Sequence, residues 1–319
     1  MPPAPVHGSA LWVWYAHQGG DWLSTAQAAG CSHVLVKAGD GGYAWPQFTP
    51  ALVDAVHAAG LRCLAWTYVY LEDPAAEVAV GLQALGAGAD GLALDIEYEA
   101  IGEDADARAL VDGLRAGAPD AWLGYAPDLR IAFGNRWPTG PFAPDLEPFP
   151  WAWLDQLDGV LPQLYYTDFA QPPALTVALA QRWADGIAAR GGRVPPCYPV
   201  LPCTSSPAAL VAALDACRAA GYAGVSLWRW DWGNAPSLIP QLGAADWPPE
   251  DTMADPQLVS LLGYLRGDIA DVLQAALDGA RHPAGRTPAD RQRAQREAFD
   301  SLQAALDTLR RGGPPDANG

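Results

Sequence analysis

Between residues 10 and 230 the chain alternates, eight times over, between a short apolar run of strand character and an Ala-rich run of helical period. The strand-like runs are Ala10–Tyr15, His33–Ala38, Arg62–Tyr70, Ala89–Asp95, Trp122–Ala126, Gly159–Tyr166, Val194–Leu201 and Gly224–Trp230. Helices are predicted between them over 21–29, 50–59, 74–85, 104–116, 151–157, 174–190 and 207–220. Asp21 serves as an N-cap, and glycine follows at Ala29-Gly30, Ala59-Gly60 and Ala220-Gly221, as tight helix-to-strand turns require. Eight such units predict an α/β fold, a (β/α)8 TIM barrel. A doubly wound open sheet would carry a glycine-rich phosphate turn after its first strand, and Gln18-Gly19-Gly20-Asp21 matches that poorly. The Pro-rich stretch 127–150 is long for a connection and reads as a functional lid.

The pattern changes after Pro248-Pro249. Leu258, Leu262, Leu265, Ile269, Val272 and Ala276 follow four-three spacing, as do Phe299, Leu302, Leu306 and Leu309. Between them, the segment 282–288 reads as a turn with Pro placed to start a second helix. The expected organisation is a barrel over 1–249, a coiled-coil-like helical hairpin over 250–312 and a disordered tail over 313–319. The hairpin's apolar seam closes on itself, on the barrel, or on a second copy, which would make the chain a homo-oligomer.

Half of the residues are hydrophobic and 17% are charged, so a sizeable core is available. No apolar run reaches the ~20 residues of a membrane span. Net charge is −17, and the acidic excess lies almost wholly in residues 1–254, so partners rich in phosphate, nucleic acids above all, are disfavoured. Residues 1–7 carry no basic and apolar leader, so the chain is expected to be cytoplasmic at synthesis, with release by lysis or in a phage as the alternative. Five cysteines without CxxC spacing read as buried reduced thiols. The five histidines form no ligand pair at helical spacing, so neither a metal nor another cofactor is implied. Trp and Tyr (14 and 11) far outnumber Phe (6), and rings with a polar handle suit sugar faces.

The chemistry concentrates at one strand end. In Ala89–Glu99 the apolar run closes on Asp95, Glu97 and Glu99 at alternate positions, which places them on one face. Crowded carboxylates shift one another's titration, so one can stay protonated beside an ionised neighbour. Active sites of these barrels lie at the strands' C-terminal ends. Those ends collect Lys37, Asp40, Tyr68, Tyr70, Asp95, Glu97, Tyr125, Asp128, Gln163, Tyr165, Trp228, Trp230 and Asp231. Carboxylates ringed by hydroxyls and indoles, without a Ser–His or Cys–His set, fit glycoside hydrolysis. Lys37, the chain's one lysine, reads equally well as a residue snorkelling at a strand end.

Asp90-Gly91-Leu92-Ala93-Leu94-Asp95-Ile96-Glu97 resembles the fourth-strand DGxDxDxE motif of family-18 chitinases. Gln163-Leu164-Tyr165 is similar to their sixth-strand M-x-Y element, and Gly224–Trp228 to their eighth-strand G-x-M-x-W element. The resemblance implies Glu97 as general acid, Asp95 and Tyr165 on the substrate's N-acetyl group, and Trp228 as a floor under the sugar. A second resemblance, to family-25 lysozymes that cleave peptidoglycan, covers residues 20–100 through Asp21-Trp22, Val34–Ala38, Asp40-Gly41, Phe48 and Ala58–Leu61. Ala93 stands where the chitinases carry an inner acid, and Tyr166 where an acid follows the tyrosine. The expectation is a glycosidase acting on an N-acetylated polysaccharide. The alternatives are a glycan-binding barrel that has lost catalysis and a structural subunit of a phage or surface assembly.

Overall fold

The computed structural model describes residues 6–17, 20–98, 101–129, 151–189, 195–243 and Trp247. Eight parallel strands make the sheet: β1 (Gly8–Val13), β2 (His33–Asp40), β3 (Arg62–Tyr68), β4 (Gly91–Asp95), β5 (Trp122–Ala126), β6 (Gly159–Val160), β7 (Val200–Pro202) and β8 (Gly224–Trp228). Their order is β6-β5-β4-β3-β2-β1-β8-β7, and Tyr43–Ala44 adds a short antiparallel partner to the end of β2. Bridges at Val160–Cys197 and Gln163–Val200 join the two ends of that order, through bonds such as Tyr198 N–H to Val160 O at 2.8 Å. This is an α/β architecture of TIM-barrel type.

Strands β6 and β7 are shorter than the runs 159–166 and 194–201 predict. Pro162, Pro195, Pro196 and Pro199 interrupt both runs, and proline has no N–H to donate to a ladder. Isolated bridges remain there, at Asp128–Gln163, Val160–Cys197 and Gln163–Val200.

The helices α1 (Trp22–Ala28), α2 (Pro50–Ala58), α3 (Pro74–Gly86), α4 (Asp104–Gly117), α5 (Pro173–Ala189) and α6 (Pro207–Ala219), with a 3-10 turn at Trp151–Gln156, follow the predicted spans closely, and α7 (Ala235–Gly243) is a further helix beyond those predicted. Three of them start with a capping side chain followed by proline: Thr49-Pro50, Asp73-Pro74 and Ser206-Pro207. Each cap accepts the N–H three residues on, as in Asp73 Oδ1 with Ala76 N at 3.1 Å, and proline removes a donor that would otherwise be orphaned. Asp21 caps α1 in the same way, on Ser24 N at 3.0 Å.

Strand alternation divides the core in two. Leu11, Val13, Val34, Val36, Leu92, Leu94 and Ile96 pack outward with helix residues such as Val56, Leu110 and Leu214. Ala10, Trp12, Leu35, Leu64, Trp66, Ala93, Ala126 and Val200 form a separate cluster inside the ring of strands. Below it, at the strands' N-terminal ends, Asp90 and Asp158 each accept a main-chain N–H of a neighbouring strand (Cys63 at 2.7 Å and Leu123 at 2.9 Å). His57 and Arg115 complete these two anchors.

Among the described residues no helix is long and apolar enough to cross a membrane. The helical seam of 255–311, the tail, Glu99 and most of the stretch 127–150 lie outside the described residues.

The buried acids give a test of this packing. Burial pushes the thiols of Cys31, Cys63 and Cys197 and the Tyr166 phenol up to about 12, and holds Tyr165 and Tyr222 well above the ordinary phenol range. The folded chain therefore keeps protons that the unfolded chain releases from about pH 8.5 (thiols) and about pH 10 (phenols), so stability falls as pH rises through those values. Urea midpoints should drop progressively from pH 8 to pH 11. A flat or rising trend would contradict the burial of these groups.

Candidate active site

The site is built from three successive inward positions on the strands. The lowest is aromatic. Trp12 and Trp14 alternate on and just beyond β1, Trp66 points in from β3 and Trp228 ends β8. Trp66 and Trp228 each meet both of the first two rings and one another, with centroids 5.3–5.6 Å apart and steep interplanar angles. Edge-to-face contacts of this kind stabilise by about 0.5–1.5 kcal/mol each beyond the area they bury. Trp12 Nε1 donates to Ser226 Oγ (2.8 Å) and Trp66 Nε1 to the Val13 carbonyl (3.1 Å). Trp228 keeps part of its surface exposed, as a floor requires, and the peptide bond that follows it is cis.

Lys37 lies beside this cluster, and its side chain is 0% exposed. It does not snorkel to solvent. Its Nζ sits 4.1, 4.6 and 4.8 Å from the ring centres of Trp14, Trp45 and Trp66, and 2.6 Å from Asp40 Oδ2. Burial lowers its affinity for a proton, while Asp40 and then Asp95 act in the opposite direction. Gln47 fastens the cage: its Nε2 donates to the Trp14 and Lys37 carbonyls (2.7 and 2.9 Å), and its Oε1 accepts from Ala16 N (2.9 Å). A register shift in β2 between Lys37 and Gly39 lets Asp40, three residues along, face inward as well. Tyr70 donates its hydroxyl to Asp40 Oδ1 at 3.0 Å.

The layer above aligns Asp40, Tyr68 and Asp95 across β2, β3 and β4. Asp95 is 5% exposed and Glu97, just past the strand, is half-buried. The Gln163 side chain ties them together, with its Nε2 donating to Asp95 Oδ1 at 2.9 Å and to Glu97 Oε1 at 3.2 Å. Two carboxylate oxygens demand a donor between them, which fixes which way this amide points. The alternation predicted for 95 and 97 is therefore present. Gln163 Oε1 and Trp14 Nε1 are buried without a hydrogen-bond partner among the described residues. Tyr165 completes the group. Its phenol is held protonated by burial and by the charges of Asp95, Glu97, Asp128 and Asp168, so it remains a hydrogen-bond donor.

Two expected residues face elsewhere. Tyr125 is fully buried on the outer side of β5, among the residues that pack on the helices. Trp230 is 6% exposed in the same outer cluster. For Tyr125 this follows from alternation, since Ala126 takes the inward position next to it, whereas Trp230 lies beyond the end of β8 at Trp228. Asp231 is held at the rim by Arg229, whose Nε is 2.7 Å from Oδ1. The motif residue Asp90 lies at the opposite end of β4 and serves the fold. The residues that sequence reasoning did not single out are Trp14, Trp45, Trp66, Gln47 and Arg229. For Trp12, Trp14, Trp66 and Tyr68, spacing by two along a strand was the available signal.

No protein-family model matches the chain, and no curated protein matches it. Solved structures do. A chitinase from Chromobacterium violaceum aligns with a TM-score of 0.53 at 12% identity, over 75% of this chain and 99% of that one. Active domain 2 of the thermostable chitinase from Pyrococcus furiosus aligns at 0.51 and 11%, over 72% and 86%. The exo-β-1,4-mannosidase of Opitutaceae bacterium strain TAV5 aligns at 0.50 and 18%, over 76% of this chain, which spans 56% of that enzyme's length. The chain shares the α/β barrel fold of these enzymes. At these identities the likeness is one of architecture, and the expected resemblance to chitinase-type barrels holds at that level.

The indole cluster predicts its own energetics. Trp66→Ala should cost about 3–5 kcal/mol of stability, as removal of a fully buried aromatic does. Trp232, 55% exposed at the rim, should tolerate alanine within about 0.5 kcal/mol. Equal costs by urea denaturation would show that Trp66 is not packed as described.

Proposed function

We propose that the chain is a glycosidase that cleaves an N-acetylated polysaccharide, chitin-like or peptidoglycan, at the Asp95–Gln163–Glu97 cluster. The observation that carries this reading is the shared Gln163 amide, which sets two carboxylates side by side above an indole floor. Glu97, the more exposed of the two, protonates the leaving glycosidic oxygen. The substrate's acetamido oxygen attacks the anomeric carbon, Asp95 accepts the acetamido N–H, and the Tyr165 phenol donates to the acetamido oxygen. The intermediate is a cyclic oxazolinium, which water opens with Glu97 now acting as base, so configuration is retained.

A two-carboxylate mechanism needs a second free acid near Glu97. Of the three acids that the sequence offers for that part, Asp40, Asp168 and Asp231, the first and last are each held by a cation, Lys37 and Arg229, and Asp168 is exposed beyond β6. This favours participation by the substrate. The missing acids favour the second reading, a barrel that binds glycan without cleaving it. Ala93 carries no carboxyl, and Tyr166 is buried with its hydroxyl on Ser205 (2.8 Å), away from the acid pair.

Chito-oligosaccharides and purified peptidoglycan, assayed for release of reducing ends, separate the two readings. The first predicts hydrolysis by the wild-type chain, a fall of about 10²–10⁴-fold in Glu97→Gln, and no cleavage of a glucan without N-acetyl groups. Near-normal activity in Glu97→Gln would mean that another group is the acid. Glycan binding without turnover would favour the second reading.

A further inference from the structure

We propose that Lys37 is a positioning residue for the acid pair: its caged ammonium is the fixed counter-ion of Asp95 as well as of Asp40, and so assigns the pair's negative charge to Asp95 and its proton to Glu97. The inference rests on the reading of Asp95 and Glu97 given above and states how their roles are set.

The layers of the barrel place the cation. Lys37, Trp66 and Ala93 align across β2, β3 and β4, and the next inward positions on the same strands are Asp40, Tyr68 and Asp95. Lys37 thus belongs to the layer directly beneath Asp95, and in that layer β4 contributes only the methyl group of Ala93. An acid at position 93 would share a proton with Asp95. An ammonium beneath can only favour its ionised form.

The cage makes the assignment rigid. A lysine with no exposed side-chain surface has lost its hydration, which is strongly unfavourable unless neighbours replace water. Three indole faces within 4.8 Å and one carboxylate at 2.6 Å do so, and they leave the ammonium no second position. Asp40 cannot absorb the whole field, since it is about one-third exposed and shares its second oxygen with Tyr70. Lys37 is stabilised as a cation by Asp95 as well. Among the described residues, the titratable and charged groups around the acid pair are Lys37 and Asp40 from β2, Tyr68 and Tyr70 from the end of β3, and Asp128 beyond β5. Tyr165 and Asp168 follow β6, and Arg229, stacked 5.2 Å from Trp14, follows β8. Of these, Lys37 and Arg229 are the cations, and Arg229 is bound to Asp231. Glu97, a further step outward and half-exposed, is the member of the pair farther from the ammonium's layer, and it keeps the proton it must deliver.

The test is a titration without substrate. In the full-length chain, the side-chain carboxyl carbons of Asp95 and Glu97 are followed by 13C NMR from pH 3 to pH 9, with assignments from Asp95→Asn and Glu97→Gln. The expected result is that Asp95 ionises before Glu97 in the wild type. In Lys37→Met the Asp95 midpoint should rise by about one pH unit or more, and the two titrations should merge into coupled steps. In Asp40→Asn, which leaves the cation in place, the Asp95 midpoint should stay or fall. A merely structural role for Lys37 would move both variants the same way. If Lys37→Met does not fold, the order of ionisation in the wild type still decides. Glu97 ionising first, or an Asp95 midpoint unmoved in folded Lys37→Met, overturns the inference. Hydrolysis is read separately, as the acid limb of the pH profile of kcat/KM, which should move upward in Lys37→Met. A chain that shows the expected titration but cleaves no glycan would sink the proposed activity and leave the counter-ion role standing.

Discussion

The interior of a ring of parallel strands has room for a fixed set of side chains, and in this chain indoles take most of it. Trp12, Trp14, Trp66 and Trp228 converge from β1, β3 and β8, β4 adds only Ala93, and Gly124 opposite it on β5 leaves room for Trp122 and Leu161. Of the polar residues on the inner face, Lys37 is thereby taken into the cage, and Asp95, Glu97 and Gln163 lie higher, at the strand ends. The floor and the acid pair are two consequences of one packing problem. An interior packed at the density of an organic crystal also holds its upper surface still, and a site that must align two carboxylates gains from that.

The buried charges illustrate the same constraint. Three cations withdrawn from water have their partners in place: Lys37 has Asp40, Arg229 has Asp231, and Arg115 has Asp158. Glu77, which burial pushes toward its neutral form, holds the loop after β3 by accepting the N–H groups of Tyr70 and Leu71 at 2.8 and 3.2 Å. That loop carries the Tyr70 hydroxyl to Asp40. The chain of contacts from α3 to the cage is therefore continuous, through Glu77, Tyr70, Asp40 and Lys37.

Much of this was legible in the sequence, and the reasons differ by element. The strand and helix runs are readable because apolar period and capping residues agree, as at Asp73-Pro74 and Ser206-Pro207. The D-x-E run at 95–97 is readable because alternation needs no tertiary information. What alternation alone misplaces is decided by neighbours. Asp40 faces inward only because β2 shifts register, Tyr125 looks like a cleft residue until its strand's parity is fixed by Ala126, and Trp230 lies past the end of β8, where parity no longer applies. The cage was illegible for another reason. Trp14, Trp45 and Trp66 come from three separate segments, and nothing local marks them as converging on one lysine.

The central claim is that the Asp95–Gln163–Glu97 cluster above Trp228 receives an N-acetylated sugar. The most direct measurement is a crystal structure of the chain with a thiazoline derived from N-acetylglucosamine, a stable mimic of the cyclic intermediate. The account predicts the sugar ring on Trp228 and the thiazoline nitrogen within hydrogen-bond distance of Asp95, with Tyr165 on the opposite side. Sugar seated elsewhere, with Asp95, Gln163 and Glu97 making no contact to it, would contradict the account.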